Sequence, residues 1–257
     1  MRIFLLLLAL VAWARVSAQI TIDEYRQQVL SRSLELMSAE AESEKLLSRS
    51  NQQRTNFLPA LSASGEFTTA FRRNDGADLW GFTLQPRVEQ ILYGGGGVRA
   101  AYRRAATQSD MAEKDELAAF FEERYAADKA YYTLSAMQLY RAATREYVSI
   151  IRSLYRVVEE RYSEGYVAKG DMLQVQTRLS EAEYSLLAME NDYAVALHRF
   201  NNLRGVLDTS DVVLENSIID SIALPVRMSV EQVFERRPDM QAAVLAIYSA
   251  EQGVKVA

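Results

Sequence analysis

Counting from Met172 in alternating steps of three and four reaches Val175, Leu179, Ala182, Leu186, Met189, Tyr193, Ala196, Phe200 and Leu203, ten apolar positions in succession. A 3.5-residue repeat sustained this way predicts a long helix that packs in a left-handed supercoil. A second series, Val148, Ile151, Tyr155, Val158 and Tyr162, climbs the preceding stretch toward Gly165. Beside these seams lie Tyr147, Ile150, Leu154 and Val157 on one helix and Leu173, Leu187, Ala194 and Leu197 on the other. Two adjacent seams predict neighbours on both sides of each helix, as in a bundle or ring. A simple antiparallel hairpin with a fat core has the same periodicity.

Upstream, the period changes to two. Leu61, Ala63, Gly65, Phe67, Thr69 and Phe71 alternate with Ser62, Ser64, Glu66, Thr68, Ala70 and Arg72. After the turn-like Asn74-Asp75-Gly76, Trp80, Phe82, Leu84, Pro86 and Val88 alternate with Gly81, Thr83, Gln85, Arg87 and Glu89. Each run is a half-apolar strand, and together they predict an antiparallel hairpin over Ala60 to Phe71 and Leu79 to Val88. About ten residues per strand suits tilted membrane-spanning strands, which run ~9 to 11. Two readings fit the alternation: half-buried strands of a soluble domain, or outer-membrane strands whose Phe67, Phe71, Trp80, Phe82 and Leu84 side meets lipid. Phe71 and Trp80, near the turn, fit an interfacial aromatic girdle.

Glycine and proline bound these elements. Ile20 to Leu58, Val98 to Glu164 and Asp171 to Arg204 contain neither residue. The middle stretch has 67 residues, about 100 Å of continuous helix at 1.5 Å per residue. A helix of that length needs lateral partners.

At the N-terminus, Arg2 precedes an apolar run from Ile3 to Trp13, and Val16-Ser17-Ala18 supplies small residues at a cleavable junction. This is the pattern of a secretory signal peptide cut after Ala18, and eleven apolar residues are too few to span a bilayer as a helix. The chain of 257 residues carries 29 Lys+Arg against 34 Asp+Glu. Removing residues 1–18 takes away Arg2 and Arg15 and leaves a net charge of -7, with no global basic field for nucleic acid. Without cysteine, disulfides, thiolate metal sites, cysteine nucleophiles and an N-terminal lipid anchor are excluded.

Nothing in the sequence forms a catalytic or metal-binding constellation. His198 is the only histidine and has no partners at ligand or triad spacing, so it is expected to be a partly packed helix residue. Gly94 to Gly97 opens a helix without the Lys-Ser or Lys-Thr of a phosphate loop and predicts a strand-to-helix junction. Adjacent acids such as Glu122-Glu123 and Glu159-Glu160 diverge around a helix and predict solvated faces. No enzyme activity and no cofactor are expected.

Several short motifs occur in a specific order. Asn56-Phe57-Leu58-Pro59-Ala60-Leu61 enters the first strand, and Val88-Glu89-Gln90-Ile91-Leu92-Tyr93-Gly94-Gly95 leaves the second. Arg161-Tyr162-Ser163-Glu164-Gly165 and Gly170-Asp171-Met172-Leu173 flank a helical turn, and Glu235-Arg236-Arg237-Pro238-Asp239 follows later. In these motifs the mature chain resembles the TolC-like outer-membrane efflux (outer-membrane factor) family.

The resemblance implies a mainly α fold with a β-hairpin: very long antiparallel coiled-coil-like helices of an α-barrel, plus two strands of a trimeric transmembrane β-barrel. It implies location in the outer membrane of a Gram-negative bacterium with a periplasmic helical extension. The implied function is a passive channel for a tripartite efflux or type I secretion system. Implied partners are two further copies of the chain when full length, outer-membrane lipid, a periplasmic adaptor (membrane fusion) protein and, through it, an inner-membrane transporter. The turn between the long helices resembles the surface met by adaptor hairpin tips, which makes Gly165, Tyr166, Val167 and Gly170 candidate contacts. Asp171 is expected to cap the return helix. A periplasmic coiled-coil adaptor or scaffold is the alternative, although no lipoyl-like β segment flanks the helices.

Family protomers are tandem repeats. Aligning Arg32-Ser33-Leu34-Glu35-Leu36 with Arg236-Arg237-Pro238-Asp239-Met240 gives an offset of 204 residues, which puts the equivalent of Pro59 near position 263. The expected organisation is a signal peptide over 1–18, a first repeat over 19–205 and a connector over 206–228. Residues 229–257 would begin a truncated second repeat. Within the first repeat the hairpin takes about 60–88, the long helix about 97–163 and its partner about 171–204. Such a fragment is expected neither to trimerise nor to conduct alone, because half of its strands and seams lack partners.

Overall fold

A computed structural model describes residues 19–69, 80–207, 211–220 and 226–256. The signal-peptide expectation and the hairpin turn, Phe71 included, lie outside the described residues. The elements are α1 (Ile22–Leu30), α2 (Leu34–Thr55), β1 (Ala60–Thr69), β2 (Trp80–Glu89), α3 (Gly97–Ser163), α4 (Lys169–Leu203), α5 (Val230–Arg236) and α6 (Pro238–Val256). The expected mainly helical fold with one antiparallel hairpin is therefore the observed one. No described helix is long and apolar enough to cross a membrane. The chain divides into two compact units, one of residues 1–36 and 120–226, the other of 37–119 and 227–257.

In the first unit, α1 is capped by Thr21, whose hydroxyl accepts from the Glu24 amide, and buries Tyr25 and Val29. These two meet Ala127, Ala130, Tyr131 and Leu134 of α3 and Tyr193, Ala196, Leu197 and Phe200 of α4. The Tyr25 and Phe200 rings stack with centroids 4.1 Å apart and planes 7° from parallel, and the Tyr25 hydroxyl donates to the Phe200 carbonyl at 3.0 Å. Burial pushes the Tyr25 phenol well above its ordinary range, so it stays a neutral donor. Arg145–Glu190 and Arg152–Glu183 ion pairs at 3.0 and 2.6 Å span α3 and α4 in one antiparallel register. Every position of the α4 repeat from Met172 to Leu203 is buried or half-buried.

Residues 211–220 are tied across this unit. Ile20 bridges Leu214 in parallel. The Tyr131 hydroxyl donates to the Ile20 carbonyl at 2.7 Å and accepts from the Asn216 amide at 3.1 Å. The Tyr193 hydroxyl donates to Asp211 at 2.7 Å, and the Arg141 guanidinium pairs with Asp211 at 3.3 Å while lying 3.6 Å over the Tyr193 ring. The Tyr193 hydrogen bond, with Arg141 beside it, holds the Asp211 carboxyl below the usual carboxylate range, and burial followed by Asp211 pushes the Tyr193 phenol up.

A carboxylate whose folded pKa is depressed contributes stability above its unfolded pKa and loses it as pH falls through the folded value. Asp211→Asn is therefore expected to lower the thermal midpoint at neutral pH. The difference from the parent should shrink as pH falls below the ordinary value of 3.8. Melting curves followed by circular dichroism across that range check this, and a constant difference would remove Asp211 from the account.

The second unit packs differently. Most of its buried side chains are small, Ser50 of α2, Ala100, Ala105, Thr107 and Ala112 of α3, and Ala242 and Ser249 of α6, and the large exception is Gln252 of α6. Small residues let helix axes approach closely without aromatic filler. Ser229 and Gln232 form a reciprocal capping box at the start of α5, which fixes where that helix begins.

Candidate membrane hairpin and partner-binding turn

The β1–β2 register decides which side chains share a face. Phe67 lies opposite Phe82, Thr69 opposite Trp80, Gly65 opposite Leu84, Ala63 opposite Pro86 and Leu61 opposite Val88. Side chains alternate along a strand, so these ten positions occupy one face and Ser62, Ser64, Glu66, Thr83, Gln85 and Arg87 the other. A slip of one residue would mix the two. The Phe82 ring lies over Gly65, where a Cβ would meet it at 3.7 Å, an ordinary contact distance. All twenty strand residues are exposed, with Phe67, Trp80, Phe82 and Leu84 each 62 to 65% accessible. Four of the five residues expected to meet lipid thus lie together on one uncovered apolar face; Phe71 is outside the described residues.

At the other candidate site, α3 ends in a Schellman motif. The Tyr166 amide donates to the Arg161 carbonyl at 2.9 Å and the Gly165 amide to the Tyr162 carbonyl at 3.0 Å. Gly165 takes φ +83, a conformation that glycine adopts without strain. Gly170, expected together with Gly165 to permit the reversal into the return helix, has no positive φ and sits inside the first turn of α4. Asp171 is also displaced from its expected role. The reversal is complete by Ala168, which occupies the N-cap with an extended backbone and no side-chain cap. Asp171 is then the third helical residue, where its charge still favours the positive end of the helix dipole. Tyr166 is 80% exposed, Val167 is half-buried, and Gly170 and Asp171 are exposed. A Cβ at Gly165 or Gly170 would meet nothing within 4 Å.

The second seam is uneven. Tyr147, Ile150, Leu154 and Val157 of α3 are 45 to 59% exposed, as are Leu173 and Leu187 of α4 at 45 and 65%. Ala194 is half-buried and Leu197 buried. His198 is exposed rather than partly packed, because it falls one position beyond Leu197 on the outward side of α4. Gly95 and Gly96 take φ +60 and +90 and make the strand-to-helix junction expected of Gly94 to Gly97. No group of three or more His, Asp or Glu side chains among the described residues could hold a metal ion.

Comparison with known proteins adds to this geometry. The sequence profile of a family described as outer membrane efflux protein matches residues 25–206. No curated protein matches the sequence significantly. Among solved structures, the chain is similar to the Campylobacter jejuni CmeC outer membrane channel, with 18% identity and a TM-score of 0.75 over 91% of this chain and 52% of that one. It is similar to CusC, with 15% identity and a TM-score of 0.78 over 93% of this chain and 56% of that one. It is also similar to the outer membrane protein VceC of Vibrio cholerae, with 18% identity and a TM-score of 0.72 over 91% of this chain and 58% of that one. At these identities the likeness is one of fold. The chain spans a little over half the length of each.

Proposed function

This chain belongs to the outer membrane efflux protein family, and from that premise we propose that it supplies one hairpin and one long helical pair to each protomer of a trimeric outer-membrane channel. The observation that carries the reading is the β1–β2 register, which gathers the apolar side chains on a single uncovered face. Two strands leave open backbone edges, which lipid does not tolerate, so the hairpin closes a barrel with strands from elsewhere in the assembly. The exposed seam of Tyr147, Ile150, Leu154 and Val157 faces a neighbouring helix in the same assembly. Substrates are conducted passively from a tripartite efflux or type I secretion complex, whose adaptor meets the Gly165–Asp171 turn. A leader cut after Ala18 directs the chain to the outer membrane of a Gram-negative cell. Carbonate and high-salt washing of outer-membrane fractions tests the reading: the channel protein carrying this chain is expected in the pellet, and release into the wash would overturn it.

The two glycines of the turn separate structural from contact roles. Gly165→Ala forces a side chain into a positive-φ position and is expected to cost about 1 kcal/mol through the backbone alone. Gly170→Trp carries no such strain. It is expected to leave the melting temperature and trimer intact while abolishing adaptor crosslinking and drug resistance. Crosslinking retained in Gly170→Trp would place the adaptor contact elsewhere.

A further inference from the structure

Although the whole chain is acidic, the segments that enter and leave the hairpin are not. From Lys45 to Gly65 and from Gln90 to Ser109 there is no aspartate or glutamate, while Arg49, Arg54, Arg99, Arg103 and Arg104 all lie there. All five are exposed, and among the described residues none makes an ion pair. Two of them converge: Arg49 and Gln53 of α2 and Arg104 and Gln108 of α3 line one cavity of about 250 Å³, closed by Ala101, Ala105 and Val256. At ~30 Å³ per water that is room for roughly eight waters, enough for a phosphate and the glycerol attached to it. Two guanidinium forks and two carboxamides offer many donors, which suits a phosphate better than any apolar occupant.

The position of the cavity narrows the ligand. Arg49 lies six residues before the end of α2 and Arg104 seven after the start of α3, so both sit about 9 to 10 Å along their helices from the strand junctions. Long arginine side chains reach from that depth into a headgroup layer about 5 to 8 Å thick. Between the arginines and the strands, the rings of Phe57 and Tyr102 meet edge to face with centroids 5.9 Å apart, and Tyr93 is 90% exposed. Aromatic residues beside basic ones are the composition of a membrane interface.

We propose that Arg49 and Arg104 bind the phosphate of an anionic phospholipid headgroup in the periplasmic leaflet, with Arg54, Arg99 and Arg103 of the same two segments adding positive charge near the strand junctions. The proposal rests on the membrane reading of the hairpin. Each surface arginine is expected to strengthen attachment to an anionic membrane by roughly fivefold, and the belt thereby sets the depth at which the hairpin sits.

The test measures co-sedimentation of the chain with phosphatidylcholine vesicles, with and without phosphatidylglycerol. The parent is expected to prefer the anionic vesicles, and Arg49→Gln/Arg104→Gln to lose about 10- to 30-fold of that preference. Arg49→Lys/Arg104→Lys, which keeps both charges and loses the forks, should retain part of it. Arg161→Gln/Arg178→Gln, which removes the same charge from the turn end of the helical pair, should change little. Equal loss in that control pair, loss in the lysine pair as complete as in the glutamine pair, or no preference in the parent would each overturn the site. Full competition by inorganic phosphate at matched ionic strength would overturn the lipid as its source. Binding to neutral vesicles, and its loss in Phe82→Lys, reports the membrane reading separately.

Discussion

Lysine at Phe82 is expected to destabilise the assembled channel by about 2–4 kcal/mol, whereas lysine at the adjacent Thr83 is expected to be mild. The two positions are neighbours in sequence and opposite in face: Phe82 pairs with Phe67 among the apolar side chains, and Thr83 pairs with Glu66 among the polar ones. Under the proposed assignment, a charge at Phe82 sits in lipid near the middle of a bilayer with no water to solvate it, while one at Thr83 faces a watered lumen. Urea unfolding of the channel in vesicles, or the fraction of trimer that survives heating in detergent, reads the difference. Equal tolerance at both positions would end the lipid-facing assignment.

Phe200→Ala should cost the first unit about 3–5 kcal/mol, the range for deleting a buried aromatic ring. Phe200 is fully buried, stacked on Tyr25 and within reach of Tyr131, so the cavity would open at the meeting point of α1, α3 and α4. Leu187→Ala, on the exposed seam at 65% accessibility, serves as the contrast and should stay within about 0.5 kcal/mol in the isolated chain. Denaturant midpoints of the two variants decide it. A loss below 1 kcal/mol at Phe200 would mean that α1 is not seated as described.

The long helices were legible because their signal is redundant. Ten heptad positions from Met172 to Leu203 all point the same way, and each is at least half-buried in the structure. The hairpin was legible for the same reason with period two, and its pairing register then put the two apolar series on one face. Capping and contact geometry were less so. Asp171 has the chemistry of a cap, yet Ala168 takes the position, because the Schellman turn at Gly165 finishes the reversal sooner than the spacing of the glycines implied. Gly165 and Gly170 look alike in sequence, yet the first takes a positive φ beyond the end of α3 and the second lies inside α4. The Tyr193–Asp211–Arg141 cluster and the Tyr131 hydroxyl bridge join residues far apart in sequence, and no local pattern announces them. The arginine belt did leave a local trace, two acid-free stretches on either side of the hairpin, visible only when charge is read segment by segment.

The seating of residue 20 against residue 214 has a temporal consequence. The hydrogen bonds that hold Ile20 to Val213 and Glu215, and Ile22 and Tyr131 to Asn216, link positions up to 195 residues apart, from Ile20 to Glu215. At ~5–20 residues per second of synthesis, Ile20 waits roughly 10 to 40 s before its partners exist. During that interval Tyr25 and Val29 have no core to enter, and the helical pair they will join is still emerging. The last act of folding in this unit is therefore a closure of its two sequence ends. A nascent chain stopped before Phe200 would carry α1 undocked and open to proteolysis, a state from which holding factors would need to shield it.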